Sequence, residues 1–185
     1  MNTIIISGKA GSGKDMTAHF MKEELEKHGK KVLIIHYGDA VKWVLRDYFN
    51  WDGNKDVIGR TLLQRIGTDV VRARHPNFWT AIVVGLIQSF EPYNDFNVAL
   101  VPDARFPNEV DIPLQELENC VTVRIERKNE DGTPWINPQL TEEQRMHPSE
   151  TSLDCYAFDY VVHNDEGLDT LRESAETVLK DLKLI

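Results

Sequence analysis

The chain has little that would bind a polyanion, cross a bilayer or build a covalent framework. Its 185 residues hold 21 Lys and Arg against 30 Asp and Glu, a formal net charge of −9. Affinity for a nucleic-acid backbone rests on clustered Lys and Arg, so a nucleic-acid polymer is not an expected partner. The longest apolar stretch, AIVVGLI, falls far short of the roughly 20 residues that a helix needs to span a bilayer, and no membrane association is expected. Cys120 and Cys155 show neither a CxxC nor a metal-ligand spacing, and two thiols are too few for a disulfide framework. They read as two buried thiols in a reducing cytosol, so the expected location is cytoplasmic. No basic segment precedes an apolar secretory core at the N-terminus, and repeats and low-complexity tracts are lacking. With 41% hydrophobic residues and no composition break, the chain is read as one domain, 1–185, with a sizeable core.

Short apolar runs that look like buried strands recur at Thr3 to Ser7, Lys31 to His36, Asn97 to Val101, Val121 to Ile125 and Asp159 to Val162. Helix-period segments lie between them. Such alternation predicts an α/β fold with a parallel sheet covered by helices. Met16, Phe20, Met21 and Leu25 share one helical face, Lys22, Glu23, Glu26 and Lys27 the other, and Gly29 is the stop. Two more helices are expected at about Arg60 to Arg74 and, after an Asn77 cap, at Phe78 to Phe90; the second is apolar nearly all round and reads as buried. Leu168, Leu171, Ala175, Val178 and Leu182 predict a C-terminal helix packed on the sheet. The stretch from Arg127 to Glu150 has prolines, a turn-prone EDG and no sustained apolar period, and is read as a lid of about 127–150.

Residues 8–15, GKAGSGKD, lie between the first strand and the first helix. They nearly match G-x-x-x-x-G-K followed by Ser or Thr, a loop whose backbone N–H groups cradle phosphates. Gly11 and Gly13 let the backbone approach phosphate closely, and Lys14 suits a β- and γ-phosphate bridge. Asp15 replaces the usual hydroxyl residue, and a carboxylate there is a hard oxygen ligand for Mg²⁺, directly or through water. Asp103, at the carboxyl end of NVALVPDARFPNEV, and Arg105 belong where open α/β sheets bind ligands. Asp103 is a second candidate for Mg²⁺ or its water shell; Arg105 offers a fork for phosphate oxygens. In TLLQRIGTDVVRAR, Gly67 interrupts a helical pattern, pointing to close approach of a ligand or backbone, and Thr61, Arg65, Thr68 and Arg72 follow one polar face. Arg127, Lys128 and Arg145 are the lid cations expected over transferring phosphates. The bland alternatives remain open for Trp79 as core, Gly67 as packing and His147 as an ordinary loop histidine.

Together SGKAGSGKD, LLQRIGTDVV, NFWTAIV, VPDARFPNE, HPSET and VVHNDEGLDTL, in this order, resemble the bacteriophage-type deoxynucleoside monophosphate kinases of the P-loop kinase superfamily. The resemblance covers nearly the whole chain. It implies a three-layer α/β/α P-loop kinase fold with a five-stranded parallel sheet and a lid, and transfer of the ATP γ-phosphoryl group to a deoxynucleoside monophosphate with Mg²⁺. By that similarity Gly11, Ser12, Gly13, Lys14, Asp15, Met16 and Thr17 hold ATP and its metal, with Arg60 and Arg127 toward the phosphates and Asn164 and Asp165 in the turn near adenine. Ala10 falls where the family can carry a basic residue near the monophosphate, with Lys9 as a substitute. Arg65, Gly67, Thr68, Trp79, Asp103, Arg105 and Glu109 match positions around the deoxynucleotide, and Lys14, Asp103 and Arg105 form the catalytic set. A phage origin would place the protein in the host cytoplasm, and a homodimer stays open. Animal-type phosphomevalonate kinases, with a similar loop and strand-end Asp–Arg pair, are the runner-up, and a non-enzymatic nucleotide switch is the alternative from another class.

Overall fold

The first strand, β1 (Asn2–Gly8), shows how the apolar runs build the sheet. In a computed structural model that describes residues 1–93 and 95–185, Ile4, Ile5 and Ile6 are fully buried. Side chains alternate across a strand, so Ile4 and Ile6 enter one apolar cluster and Ile5 the other. In β3 (Val98–Ala104), Val98 and Leu100 follow the first pair while Ala99 and Val101 join Ile5. With β2 (Val32–Ile34), β4 (Cys120–Glu126) and β5 (Tyr160–His163), the strands lie in the order β2-β3-β1-β4-β5, every pair parallel. The expected α/β class and five-stranded parallel sheet are therefore present.

Helices cover both faces, as burial of a parallel sheet requires. On one face α1 (Lys14–Lys27) packs against α8 (Leu168–Asp181) through Phe20, Met21, Leu25, Leu171, Ala175 and Leu179. Met16 leaves the expected apolar face: it is 38% exposed, and buried Thr17 and Ala18 take the inward positions. On the other face lie α4 (Phe78–Phe90) and α5 (Asn108–Glu116), with Val83, Val84, Ile87 and Val110 inward. Helix α4 is not buried all round, because Phe78 and Leu86 point outward. Asn77 does stand at its start, yet its side chain makes no cap; its Oδ1 instead accepts from Asn108 Nδ2 at 2.9 Å.

A third cluster forms beside the strand ends, where α2 (Tyr37–Phe49) and α3 (Val57–Gln64) meet α4 through Val41, Leu45, Trp51 and Trp79. The sequence reading missed α2, although Tyr37, Val41 and Leu45 recur every four residues behind a reciprocal His36–Asp39 capping box. The helix expected over 60–74 begins earlier, at an Asp56 cap, and widens into a π-helix over Arg65–Arg72. Such widened turns often mark functional sites. The expected lid segment holds a short bridge between Lys128 and Pro134, then α6 (Glu142–Met146) and α7 (Pro148–Thr151). Among the described residues no helix is long and apolar enough to cross a membrane. The cysteines are not both buried: Cys155 is exposed, while Cys120 is half-buried and its thiol is pushed up to about 12, mainly by that burial.

Candidate active site

The turn from β1 into α1 is shaped by glycines in the left-handed region. Gly11 has φ 80° and Gly13 φ 107°. An added Cβ on Gly11 would stand 2.6 Å from the Trp135 ring, and one on Gly13 2.6 Å from Asn164 Nδ2. Among the described residues no side chain caps α1, so its first N–H groups and the positive end of its dipole face the loop, the arrangement that receives anions. Ser12 Oγ is buried there without a partner among the described residues. Thr17 Oγ1 donates to Gly13 O at 3.0 Å, and Lys14 Nζ donates to Lys9 O at the same distance. Burial pulls the Lys14 ammonium down to about 7, with Arg105 adding to that effect. An ammonium held this way gains most from an incoming anion, because a negative neighbour favours the charged form.

Beside the loop lies a cavity of about 390 Å³ at the carboxyl ends of the strands, lined by Lys14, Asp15, Arg60, Gly67, Thr68, Trp79, Asp103, Arg105 and Glu109 among others. Residues distant in sequence thus share one space. Asp15 is 79% exposed with His36 Nε2 3.6 Å away. That imidazole, more than Lys14, holds the Asp15 carboxyl below its usual range. His36 in turn is raised to about 9 by Asp15 and then Asp39. Asp103 accepts from Tyr37 N at 2.8 Å and Gly38 N at 2.9 Å, so it anchors the N-terminus of α2 and does not pair with Arg105. Arg105 Nη1 instead donates to Glu150 Oε1 at 2.6 Å.

Glu109 supports the turn after β3 from within. Its Oε2 accepts from Arg105 N at 2.6 Å and Phe106 N at 3.1 Å, and its Oε1 meets Arg72 Nη2. Burial pushes this carboxyl up to about 7 against the pull of Arg72 and the Arg105 amide. Arg72 also lies over the Phe106 ring at 4.0 Å. Trp79 lines the cavity but belongs to the core, with its indole N–H on Gly67 O at 2.9 Å. A Cβ at Gly67 would meet only Val41 methyls, at 3.4 and 3.5 Å. Among the described residues no neighbouring backbone comes close there, and Gly67 lines the cavity, where the other expected approach, that of a ligand, falls.

Several expected site residues stand elsewhere. Arg65 is exposed and does not line the cavity. Lys9 Nζ is engaged by Asp154 at 2.9 Å, and Ala10 contributes its N–H to Glu150 Oε2. Asn164 buttresses the loop, donating to Ser12 O at 2.9 Å, while Asp165 accepts the Lys128 N–H. None of the three expected lid cations lines the cavity. Arg127 stacks on Trp135 at 4.6 Å and reaches Gly11 O, whereas Arg145 Nε closes on Leu140 O within its own segment. The cavity cations missed by the sequence reading are Lys42 and Lys55, with His36 beside them, while Arg72 reaches the cavity from the polar face expected of its helix. Two of these, His36 and Lys42, sit at or in α2, so the HYGD box was their one local signal. Lys55 lies in a polar loop with no such mark.

No family model matches the chain, and no curated protein matches it by sequence. Solved structures do match by shape. A gluconokinase from Sinorhizobium meliloti superposes with a TM-score of 0.56 at 14% identity, covering 98% of this chain and 93% of its own. A shikimate kinase from Bacteroides thetaiotaomicron reaches 0.51 at 13% identity, covering 98% of each. This chain therefore has the α/β fold of these two kinases, over nearly its full length.

Proposed function

We propose that the chain is an ATP-dependent kinase that phosphorylates a small acceptor bearing a phosphate, with deoxynucleoside monophosphates as the acceptor class. The carrying observation is the convergence of Lys14, Asp15, Asp103 and Arg105 on one cavity at the strand ends beside a glycine-shaped anion loop. The kinase names of the structural neighbours agree with this reading, and the IGTD and VPDARFPNE motifs favour a nucleotide acceptor over phosphomevalonate.

The donor set fits nucleotide and metal. Gly11, Gly13, the uncapped start of α1 and Lys14 would hold the β- and γ-phosphates. Asp15, exposed and kept ionised, offers a hard oxygen, and Asp103 a second. Mg²⁺ in phosphate-transfer sites uses one or two carboxylates plus phosphate oxygens, so a cage is not required, and among the described residues none of three or more His, Cys, Asp or Glu exists. When bound, ATP supplies the phosphoryl group and Mg²⁺ neutralises its charge.

The chain's own work is positioning and charge placement. Lys14 would exchange Lys9 O for a phosphate oxygen, a negative neighbour that favours its charged form. Arg105 keeps Nε and Nη2 without a partner among the described residues and directs them to the acceptor phosphate. Arg60, Lys42 and Lys55 place further positive charge at the cavity wall. The acceptor phosphate is already ionised, so no side chain has to remove a proton before it attacks the γ-phosphorus and the bond to the ADP oxygen breaks.

An ADP-release assay across the deoxynucleoside and ribonucleoside monophosphates, phosphomevalonate, gluconate and shikimate tests the proposal. Turnover that depends on a deoxynucleoside monophosphate supports it. Turnover with phosphomevalonate alone moves the assignment to the runner-up, and slow hydrolysis indifferent to every acceptor replaces the kinase by a nucleotide switch.

A further inference from the structure

The HPSET segment contributes a carboxylate that the functional reading has not used. Glu150 stands in α7 and its side chain is only 9% exposed. One oxygen accepts from Arg105 Nη1 at 2.6 Å, the other from the Ala10 N–H of the phosphate loop at 2.9 Å. The Ser149 carbonyl adds a longer contact to the same Arg105 nitrogen, at 3.4 Å. A single carboxylate thus ties the loop between β1 and α1 to the guanidinium after β3. Ser7 Oγ already joins the two strand ends by donating to Ala104 O at 2.9 Å, and Glu150 carries that tie outward to the loop amide and the guanidinium themselves.

The segment is held firmly enough to serve as a strut. The His147 side chain accepts the Ser149 N–H at 3.2 Å at the start of α7, and Leu153 is buried in the second apolar cluster. Asp154 pairs with Lys9 at 2.9 Å and with Arg124 at 3.3 Å. Two successive loop residues, Lys9 and Ala10, are therefore gripped by the same five-residue stretch, 150–154. Because Glu150 takes only one nitrogen of Arg105, the remaining edge of the fork stays available to the cavity.

We propose that Glu150 is a positioning residue for phosphoryl transfer: it aims Arg105 at the acceptor phosphate and locks that aim to the phosphate loop. This role rests on the kinase reading. Every group facing the carboxylate is a donor, so a Gln side chain, with one oxygen and one NH₂, must give up one of the two contacts.

The test is steady-state kinetics of Glu150→Gln, Arg105→Met and the double variant, with ATP and the acceptor that the wild type turns over best. Glu150→Gln is expected to raise the acceptor KM roughly 10- to 100-fold, the factor for one charge-assisted hydrogen bond. With the Gln oxygen kept on the Ala10 N–H, the ATP KM should stay near the wild-type value, and loss of the Arg105 contact should lower the thermal midpoint only modestly because that guanidinium can turn to solvent. In the Arg105→Met background the same change should add nothing further. An acceptor KM that is unmoved or lower, an equal rise in both KM values with a lowered midpoint, or full additivity with Arg105→Met overturns the role while leaving the kinase reading intact. A wild type that turns over no acceptor overturns both.

Discussion

Replacing Glu109 by Gln probes the buried support beneath Arg105. The Glu109 and Arg72 side chains are 3% and 12% exposed, so their pairing is shielded from water. A Gln oxygen can keep the Arg105 and Phe106 amides that Oε2 now accepts. Its NH₂ group then faces the Arg72 guanidinium, donor against donor, and a buried cation loses its counter-charge. Removing one partner of a buried pair costs about 3–5 kcal/mol. A protein of about 150–250 residues loses about 2–4 °C in Tm per kcal/mol, so Glu109→Gln should melt roughly 6–20 °C below the wild type. Methionine at position 72 keeps an apolar stem against Phe106, which Arg72 now covers. The double variant Arg72→Met, Glu109→Gln should consequently melt above Glu109→Gln alone, because replacing both members of a buried pair costs less than stranding one. Scanning calorimetry in mildly alkaline buffer, above the value of about 7 to which Glu109 is raised, reads all three proteins with that carboxylate ionised. A single variant within about 2 °C of the wild type, or a double variant that melts lower than the single, would refute the reasoning.

Lys14→Met should abolish transfer in the ADP-release assay and leave Tm unchanged or higher, since burial already disfavours the Lys14 ammonium; retained turnover, or a large loss of Tm, would count against this role. His36 is raised to about 9 on folding by Asp15 and Asp39, above the roughly 6.5 of an unfolded histidine. A group raised in this way stabilises fully below its unfolded pKa, and the contribution is lost as pH climbs through the folded value. In metal-free buffer, the gap in urea midpoint between wild type and His36→Ala should be widest in acid to neutral solution and close in strongly alkaline solution; a gap constant across that range contradicts it. Trp79→Phe keeps the ring but leaves Gly67 O without its indole donor, for an expected loss of about 1–3 kcal/mol by urea unfolding; a variant as stable as the wild type would mean that water replaces the bond.

The parts of the fold written in short-range pattern were legible from the chain alone. Alternating burial of Ile4, Ile5 and Ile6 follows from strand geometry, and all five strands lie within a few residues of the apolar runs that announced them. The glycine loop was equally plain, because positive φ at Gly11 and Gly13 is a demand on residue type at single positions. Helix α2 was missed because a polar HYGD opening masked an apolar face of modest width. The outward side of α4 was misjudged because apolar composition does not state which flank receives a neighbour.

That Lys14, Asp15, Asp103 and Arg105 would gather beside the loop at the strand ends was thus legible in the sequence. Only the tertiary structure decided their partners. Asp103 lies 65 positions from the Gly38 amide it accepts, Arg105 45 from Glu150 and Ala10 140 from the same carboxylate. Such pairs leave no local periodicity, since each member is an ordinary charged side chain or backbone amide in its own neighbourhood. They exist because a parallel sheet brings the carboxyl ends of separate strands to one edge, where buried charge has to find its counterpart or remain unsatisfied.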